Sequence, residues 1–278
     1  MTEHDRGALA ARRRVGGAIA RLRPMGAGLL DLLLPRHCAA CARPLDGHEE
    51  GLVCGRCWAR LDLLPHPRCD RCGHPTEGGR EVPASLRIAP RPCVWCELLP
   101  PYVRAARSVC WAGGGGTADD VVHALKYGGW ARAADGMAER MARLPWPADV
   151  LAERGLVVPV PLAAARLRER GYNQSALLAR SLAARWSLPM AEDAIVRRRA
   201  TRTQTRLTPG ERLANVRGAF RASDGAPRRL RGTHVVLVDD VVTTCATLNA
   251  CAAALFAAGA RIVSFVTFGR ARAVGDRC

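Results

Sequence analysis

Four apolar residues, Val235, Val236, Leu237 and Val238, are followed at once by two acids, Asp239 and Asp240, and then by the small-residue stretch Thr243, Thr244, Cys245, Ala246 and Thr247. An uninterrupted apolar run, in place of an alternating one, marks a parallel strand covered on both faces. The small residues lead into an apolar helix with Leu248, Cys251 and Leu255 on one face and a stop at Gly259. Open α/β sheets bind ligands at the carboxyl ends of their strands, where backbone N–H groups at a helix start can hold an anion. The stretch therefore predicts a phosphate cradle beside an acidic pair. Phosphate repels the acids, so their partners are hydroxyls, as an acid after a strand is the partner of a ribose. A buried strand ending in two aspartates is equally a form that a magnesium site or a solvated strand end can take.

Upstream stand four Cys-x-x-Cys pairs: Cys38 and Cys41, Cys54 and Cys57, Cys69 and Cys72, Cys93 and Cys96. Two residues between cysteines let one knuckle turn both sulfurs toward one ion, and four thiolates complete tetrahedral zinc. Eight ligands make two structural zinc sites. Neighbouring pairs taken in order give Cys38, Cys41, Cys54 and Cys57 for one and Cys69, Cys72, Cys93 and Cys96 for the other; the spacing also admits crossed pairing. Four thiolates leave no open position for substrate, so the metal serves folding. His37, His48, His66 and His74 lie among the cysteines and read as surface residues. A redox role for any one pair lacks the βαβ context such pairs occupy.

Strands are expected at Val103–Trp111, Leu156–Val160, Ala194–Arg197 and Ile262–Phe268. An amphipathic helix carries Val121, Val122 and Leu125 and ends at Lys126. Gly113–Gly116 precede it, but no Lys-Ser/Thr ending follows, which excludes a P-loop. Lys126 is the single lysine among 42 basic residues. It marks either a place that needs a compact ammonium or a chance survivor at a helix C-terminus. Val160 and Pro161 form a second loop at the edge of Asp239, suited to diphosphate through its backbone. Arg166, Arg168 and Arg170 then offer three guanidinium forks before Gly171 and a helix from Asn173 to Trp186. A linker at Pro100 and Pro101 is expected to separate the cysteine-rich module from the rest.

The net charge is +17, and eleven arginines lie between Ile195 and Arg231 against two acids. Nucleotide phosphates or a nucleic acid are the partners such a charge implies, although an arginine-biased composition contributes to it. No run of about 18 apolar residues exists to span a membrane. Arg21 and Arg23 interrupt what would be the core of a signal peptide, so a cytoplasmic location with reduced thiols is expected.

The stretch from Val235 to Leu248 resembles the 5-phosphoribosyl 1-diphosphate (PRPP) motif of type I phosphoribosyltransferases, with Cys245 where Gly is usual. The ordered series LLDLLLPRHCAACARPL, HALKYGG, VVPVPL, RERGYNQ, TQTRLTPGERLANVRGAF and VVLVDDVVTTCATL resembles the ComF family, phosphoribosyltransferase-like proteins linked to DNA uptake. The resemblance covers nearly everything from Gly28 to Phe268. It implies a mostly parallel α/β sheet flanked by helices, the type I phosphoribosyltransferase fold, behind an N-terminal double zinc ribbon. The expected division is a basic arm over 1–24, the ribbons over 25–100 and the phosphoribosyltransferase-type domain over 101–278. By the same resemblance Asp239 and Asp240 hold the ribose hydroxyls of PRPP and are the catalytic candidates, while Thr243, Thr244, Cys245, Ala246 and Thr247 hold its 5-phosphate. Val160, Pro161 and Arg170 face diphosphate and magnesium. Single-stranded DNA and DNA-uptake or recombination proteins are the implied partners. The alternative is a phosphoribosyl-transferring enzyme of nucleotide metabolism or salvage whose acceptor the sequence does not name.

Overall fold

The structure is a computed structural model that describes residues 36–45, 51–76, 93–127, 131–198 and 218–272. The basic arm over 1–24 and residues 199–217 of the arginine-rich segment lie outside them.

A helical turn, α1 (Gly55–Ala59), belongs to the first cysteine module and a 3₁₀ turn (Val94–Leu98) to the second. Then follow β1 (Val103–Ala112), α2 (Thr117–Tyr127), α3 (Ala133–Ala142), α4 (Ala148–Glu153) and β2 (Arg154–Pro159). After these come α5 (Ala164–Arg170), α6 (Gln174–Trp186), β3 (Ile195–Arg197), β4 (Phe220–Ala222) and α7 (Ala226–Leu230). The chain closes with β5 (His234–Val242), α8 (Ala246–Ala257) and β6 (Ile262–Ala271). The main sheet is parallel, in the order β1-β6-β5-β2, and β3 pairs antiparallel with β4 in a small second sheet.

The continuous apolar run of β5 is explained by cover on both faces. Val236 and Val238 pack with Val121 and Leu125 of α2, Met137 and Met141 of α3, and Leu178 and Leu182 of α6. Val235 and Leu237 face the other way, toward Leu248, Cys251 and Leu255 of α8 and Leu230 of α7. Helices α3, α4 and α7 had no counterpart in the sequence reading.

Two expectations change. Strand β5 does not end at Val238; it runs on to Val242, because β6 continues beside it through Asp239 opposite Thr267 and Val242 opposite Arg270. Strand β2 stops at Pro159 opposite Val238. The acids therefore stand inside β5, at the level where it has lost its β2 neighbour and one flank is open. Nor does the linker at Pro100 and Pro101 keep the cysteine modules out of contact with the sheet. Trp111 N donates to Asp62 O at 2.8 Å and Ala106 N to Arg71 O at 2.7 Å, so the cysteine modules cover the outer edge of β1. Covering an edge in this way removes an exposed row of unpaired strand groups.

Each module has its own dock. In the first, Trp58 lies over Gly136 of α3, where a Cβ would come within 2.7 Å of the indole. The Arg140 guanidinium sits 3.6 Å from the same ring, a cation–π contact. In the second, Gly73 lies against β1 so closely that a Cβ would meet Ala106 O at 2.3 Å. Arg71 donates to Leu99 O, Pro100 O and Val103 O, and Arg107 to Asp70 O.

Candidate functional site

The site begins with how Asp239 and Asp240 are held. Asp239 Oδ1 accepts from Ser175 Oγ at 2.7 Å and from the Asp240 N–H at 2.9 Å. Asp240 is 4 % exposed, and its Oδ2 lies 2.5 Å from Lys126 Nζ. Burial first, then repulsion from Asp240, pushes the Asp239 carboxyl up to about 7, against the pull of the Ser175 hydrogen bond. Burial works to lower the Lys126 pKa, but attraction to Asp240 and Asp239 outweighs it and the ammonium is held above its ordinary value.

The residues that aim this pair come from α2 and from the α5–α6 turn. Asn173 caps α6, its Oδ1 accepting from Ser175 N at 3.1 Å while its Nδ2 donates to Val160 O at 3.0 Å. One side chain thus fixes both the serine that binds Asp239 and the loop after β2. Tyr172 Oη donates to Leu125 O at 2.5 Å and ties the turn to α2. Arg170 donates to Gln174 Oε1 and Tyr127 Oη, both at 3.0 Å, and stacks 4.6 Å over the Tyr127 ring. Of the three forks expected here, Arg170 hydrogen-bonds within this cluster, whereas Arg166 is half-buried and paired with Glu169 at 2.6 Å.

Across the acids lies the second half of the site. Strand β5 gives way at Thr243 to a bend, and Cys245 stands at the N-cap of α8 in the left-handed region, φ +58°. The opening N–H groups of α8 have no carbonyl behind them in the helix, and its first turn carries no acid. Thr244 Oγ1 is buried with no hydrogen-bond partner among the described residues. The second cysteine module closes the back of this loop. Arg270 Nη2 donates to Cys72 O and Asn249 Nδ2 to Leu98 O, each at 2.6 Å. A cavity of about 20 Å³ remains between Cys72, His74, Trp95 and Leu99 on one side and Thr243, Cys245 and Arg270 on the other.

The cysteines gather as the in-order pairing requires: Cys38, Cys41, Cys54 and Cys57 in one group, Cys69, Cys72, Cys93 and Cys96 in the other, with all sulfurs of a group within 4.8 Å. Sulfurs at the corners of a tetrahedron with Zn–S of about 2.3 Å lie about 3.8 Å apart. Here Cys38–Cys57 and Cys41–Cys54 are each 3.8 Å apart, Cys69–Cys96 3.5 Å and Cys72–Cys93 3.6 Å. All eight are free thiols. Both tetrads fit structural zinc. His74 is buried against Trp95 and does not join the second tetrad, although a surface position was expected for it.

Comparison with known proteins agrees with this architecture. A double zinc ribbon domain model matches residues 29–87 and a phosphoribosyl transferase domain model residues 172–275. The DNA utilization protein YhgH of Salmonella typhi is 33 % identical over 245 residues, 84 % of this chain and 96 % of that protein. The chain belongs to the ComF family. YhgH of Escherichia coli K12 is 31 % identical over 240 residues with the same coverage, and Competence protein F of Haemophilus influenzae 38 % over 96 residues, 34 % of this chain and 40 % of that one. In this ComF-family chain Asp239 to Thr247 fall inside the matched phosphoribosyl transferase segment. Lys126, Val160, Pro161 and Arg170 precede it, and Cys93 and Cys96 lie beyond the matched ribbon segment.

Sequence reasoning singled out Lys126 without tying it to Asp240, and passed over Ser175, Asn249 and Arg270. The lone lysine was a usable signal for the first. A serine in the first turn of a helix, an asparagine in α8 and an arginine in an arginine-rich chain carry no such mark. No helix among the described residues is long and apolar enough to cross a membrane.

Proposed function

We propose that this chain binds PRPP together with magnesium at the acid pair, and that it serves the uptake or processing of DNA. One observation carries the reading: Asp239 and Asp240, fixed by Ser175 and Lys126, stand beside the open start of α8. Ribose hydroxyls donate to the carboxylates, the 5-phosphate accepts from the N–H groups of the Thr243–Thr247 turn, and the diphosphate extends toward Val160, Pro161 and Arg170. Magnesium would sit by the Val160–Pro161 loop with the diphosphate. Its chemistry there is to offset the charge of the diphosphate.

Where transfer takes place, the bond from C1 to the diphosphate oxygen breaks, its electron pair leaves with the diphosphate, and a lone pair of the acceptor forms the new bond to C1. Ionised Asp239 and Asp240 stabilise the positive charge that builds on the ring, and Asp240 takes a proton from the acceptor. The relatives' names, DNA utilization and competence, support a place in the use of DNA. The arginine excess between 195 and 231 supports single-stranded DNA as the acidic partner. Calorimetric titration of PRPP and magnesium into the wild-type protein and an Asp239→Asn, Asp240→Asn double variant tests the site; equal binding by both removes it. Turnover of PRPP with a panel of acceptors separates an enzyme from a binding protein.

A further inference from the structure

Lys126 occupies a position whose chemistry extends beyond holding Asp240. It closes the last turn of α2, where a helix C-terminus favours a cation. The next residue, Tyr127, carries the Arg170 guanidinium on its ring and hydroxyl. The start of α6, with Gln174 and Ser175, and the Val160–Pro161 loop complete that flank. The acid pair thus has two unlike flanks. On one, α8 opens toward a single phosphate; on the other, an ammonium, a guanidinium and a helix start converge. A sugar that carries phosphate on one carbon and diphosphate on another, laid across Asp239 and Asp240, puts the diphosphate on the second flank.

We propose that Lys126 is a specificity-determining residue for the diphosphate: it pins Asp240 when the C1 position carries none, and moves to the diphosphate oxygens when one binds, releasing Asp240 to the ribose hydroxyls. This rests on the assignment of PRPP to the acid pair. A lysine suits the role as an arginine does not. Its ammonium is a compact charge on a flexible stem with rotatable donors, free to pass between neighbouring acceptors, whereas a planar fork is locked to one geometry. In a chain of 42 basic residues this is the only lysine. The consequence is discrimination: ribose 5-phosphate, which has no diphosphate to draw the ammonium away, meets an Asp240 still paired.

The test titrates PRPP, ribose 5-phosphate and inorganic diphosphate, each with magnesium, into wild-type protein and the Lys126→Met and Lys126→Arg variants. Loss of a charge-assisted contact predicts a fall of about 10- to 100-fold in PRPP affinity for Lys126→Met. Diphosphate binding falls with it, ribose 5-phosphate binding holds or tightens because Asp240 is no longer paired, and Lys126→Arg lies between. An unchanged ratio of PRPP to ribose 5-phosphate affinity, or an equal loss of both, overturns the proposal. A readout that needs no variant exists because the lysine is single: protein labelled with ¹³C-lysine gives one Cε resonance. That resonance shifts on saturation with PRPP or diphosphate and stays in place with ribose 5-phosphate. If it stays in place with bound PRPP, Lys126 has no such role while the acid-pair site stands. If the wild-type protein binds no PRPP at all, the underlying assignment fails and takes this one with it.

Discussion

The two cysteine tetrads share one chemistry and lead to different places. The first hands its docking to Trp58, which lies on α3 over Gly136 and meets Phe268 edge-on at 6.3 Å, on the face of the sheet away from α8. The second hands its docking to backbone carbonyls. Leu98 O takes Asn249 of α8, Cys72 O takes Arg270, and Trp95 and Leu99 wall a cavity shared with Thr243 and Cys245. A zinc-bound knuckle is rigid, so what it touches is held. The first therefore holds a helix of the core, and the second holds the loop and helix start of the proposed phosphate site.

The largest effect that could break this contrast is loss of a metal. Zinc binding is worth about 10–16 kcal/mol in zinc-finger peptides, so Cys54→Ser and Cys72→Ser should each release one zinc per chain and lower the unfolding midpoint sharply. They should differ in ligand binding. At a temperature where both remain folded, Cys72→Ser weakens ribose 5-phosphate binding by at least about 10-fold and Cys54→Ser by less than about 3-fold, since only the second module braces α8. Zinc content by metal analysis and affinity by calorimetry decide it. Equal losses of affinity mean that both modules merely stabilise the domain.

Gentler changes sharpen the same contrast. Gly136→Val drives a branched side chain into the Trp58 ring, and overpacking of this kind costs about 1–3 kcal/mol in denaturant unfolding. Its effect on ligand affinity should be small. Asn249→Ala leaves Leu98 O without its donor and costs only about 1 kcal/mol of stability, yet it loosens the first turn of α8 and should lower phosphate affinity measurably. The variant that destabilises more should bind better.

These docks also mark what the sequence could and could not tell. The strand core Val235–Val238, the helices carrying Val121 and Leu248, and both tetrads follow from local pattern, and the structure contains them. The acids were legible as a pair at a strand end, but the strand continues past them because β6 keeps pairing there, a fact about a partner more than twenty residues away. The docking across the Pro100–Pro101 linker was out of reach for a related reason. Pro100 and Pro101 describe the path of the chain, whereas the docking is set by Gly73 and Gly136, whose missing side chains make room for a neighbour the sequence does not name. The Lys126–Asp240 pair, 2.5 Å apart in space, joins distant segments and had only the rarity of lysine to announce it.

A pH profile supplies the control that neither module should touch. Asp239 titrates near 3.8 when unfolded and is pushed up to about 7 in the fold. Between those values the folded state binds the extra proton, so this group's contribution to stability is full below about pH 4 and is lost as pH rises toward 7. Ligand binding should run the other way, because in the proposed site it is the ionised carboxylate that accepts the ribose hydroxyls. Affinity should rise about 10-fold per pH unit below 7 and level off above it, with Asp239→Asn flat throughout. The same curve should survive Gly136→Val, as Trp58 lies on another part of the molecule; a shifted midpoint there would mean that the first module reaches the acids after all.

The smallest effect is expected at Cys245, where the two halves of the contrast meet. Its backbone is in the left-handed region, which costs a residue with a Cβ about 1 kcal/mol, and Gly would remove that strain. Its side chain is only 8 % exposed and shares the cavity with Trp95, Leu99 and Arg270, so Gly would also strip a buried contact worth about 1 kcal/mol. The terms oppose, and Cys245→Gly should shift stability by less than about 1 kcal/mol with ligand affinity nearly unchanged. Thermal unfolding and the ribose 5-phosphate titration measure both. A loss beyond about 3 kcal/mol would show that the second module grips the loop mainly through this side chain, and that the Arg270 and Asn249 hydrogen bonds follow from the grip and do not make it.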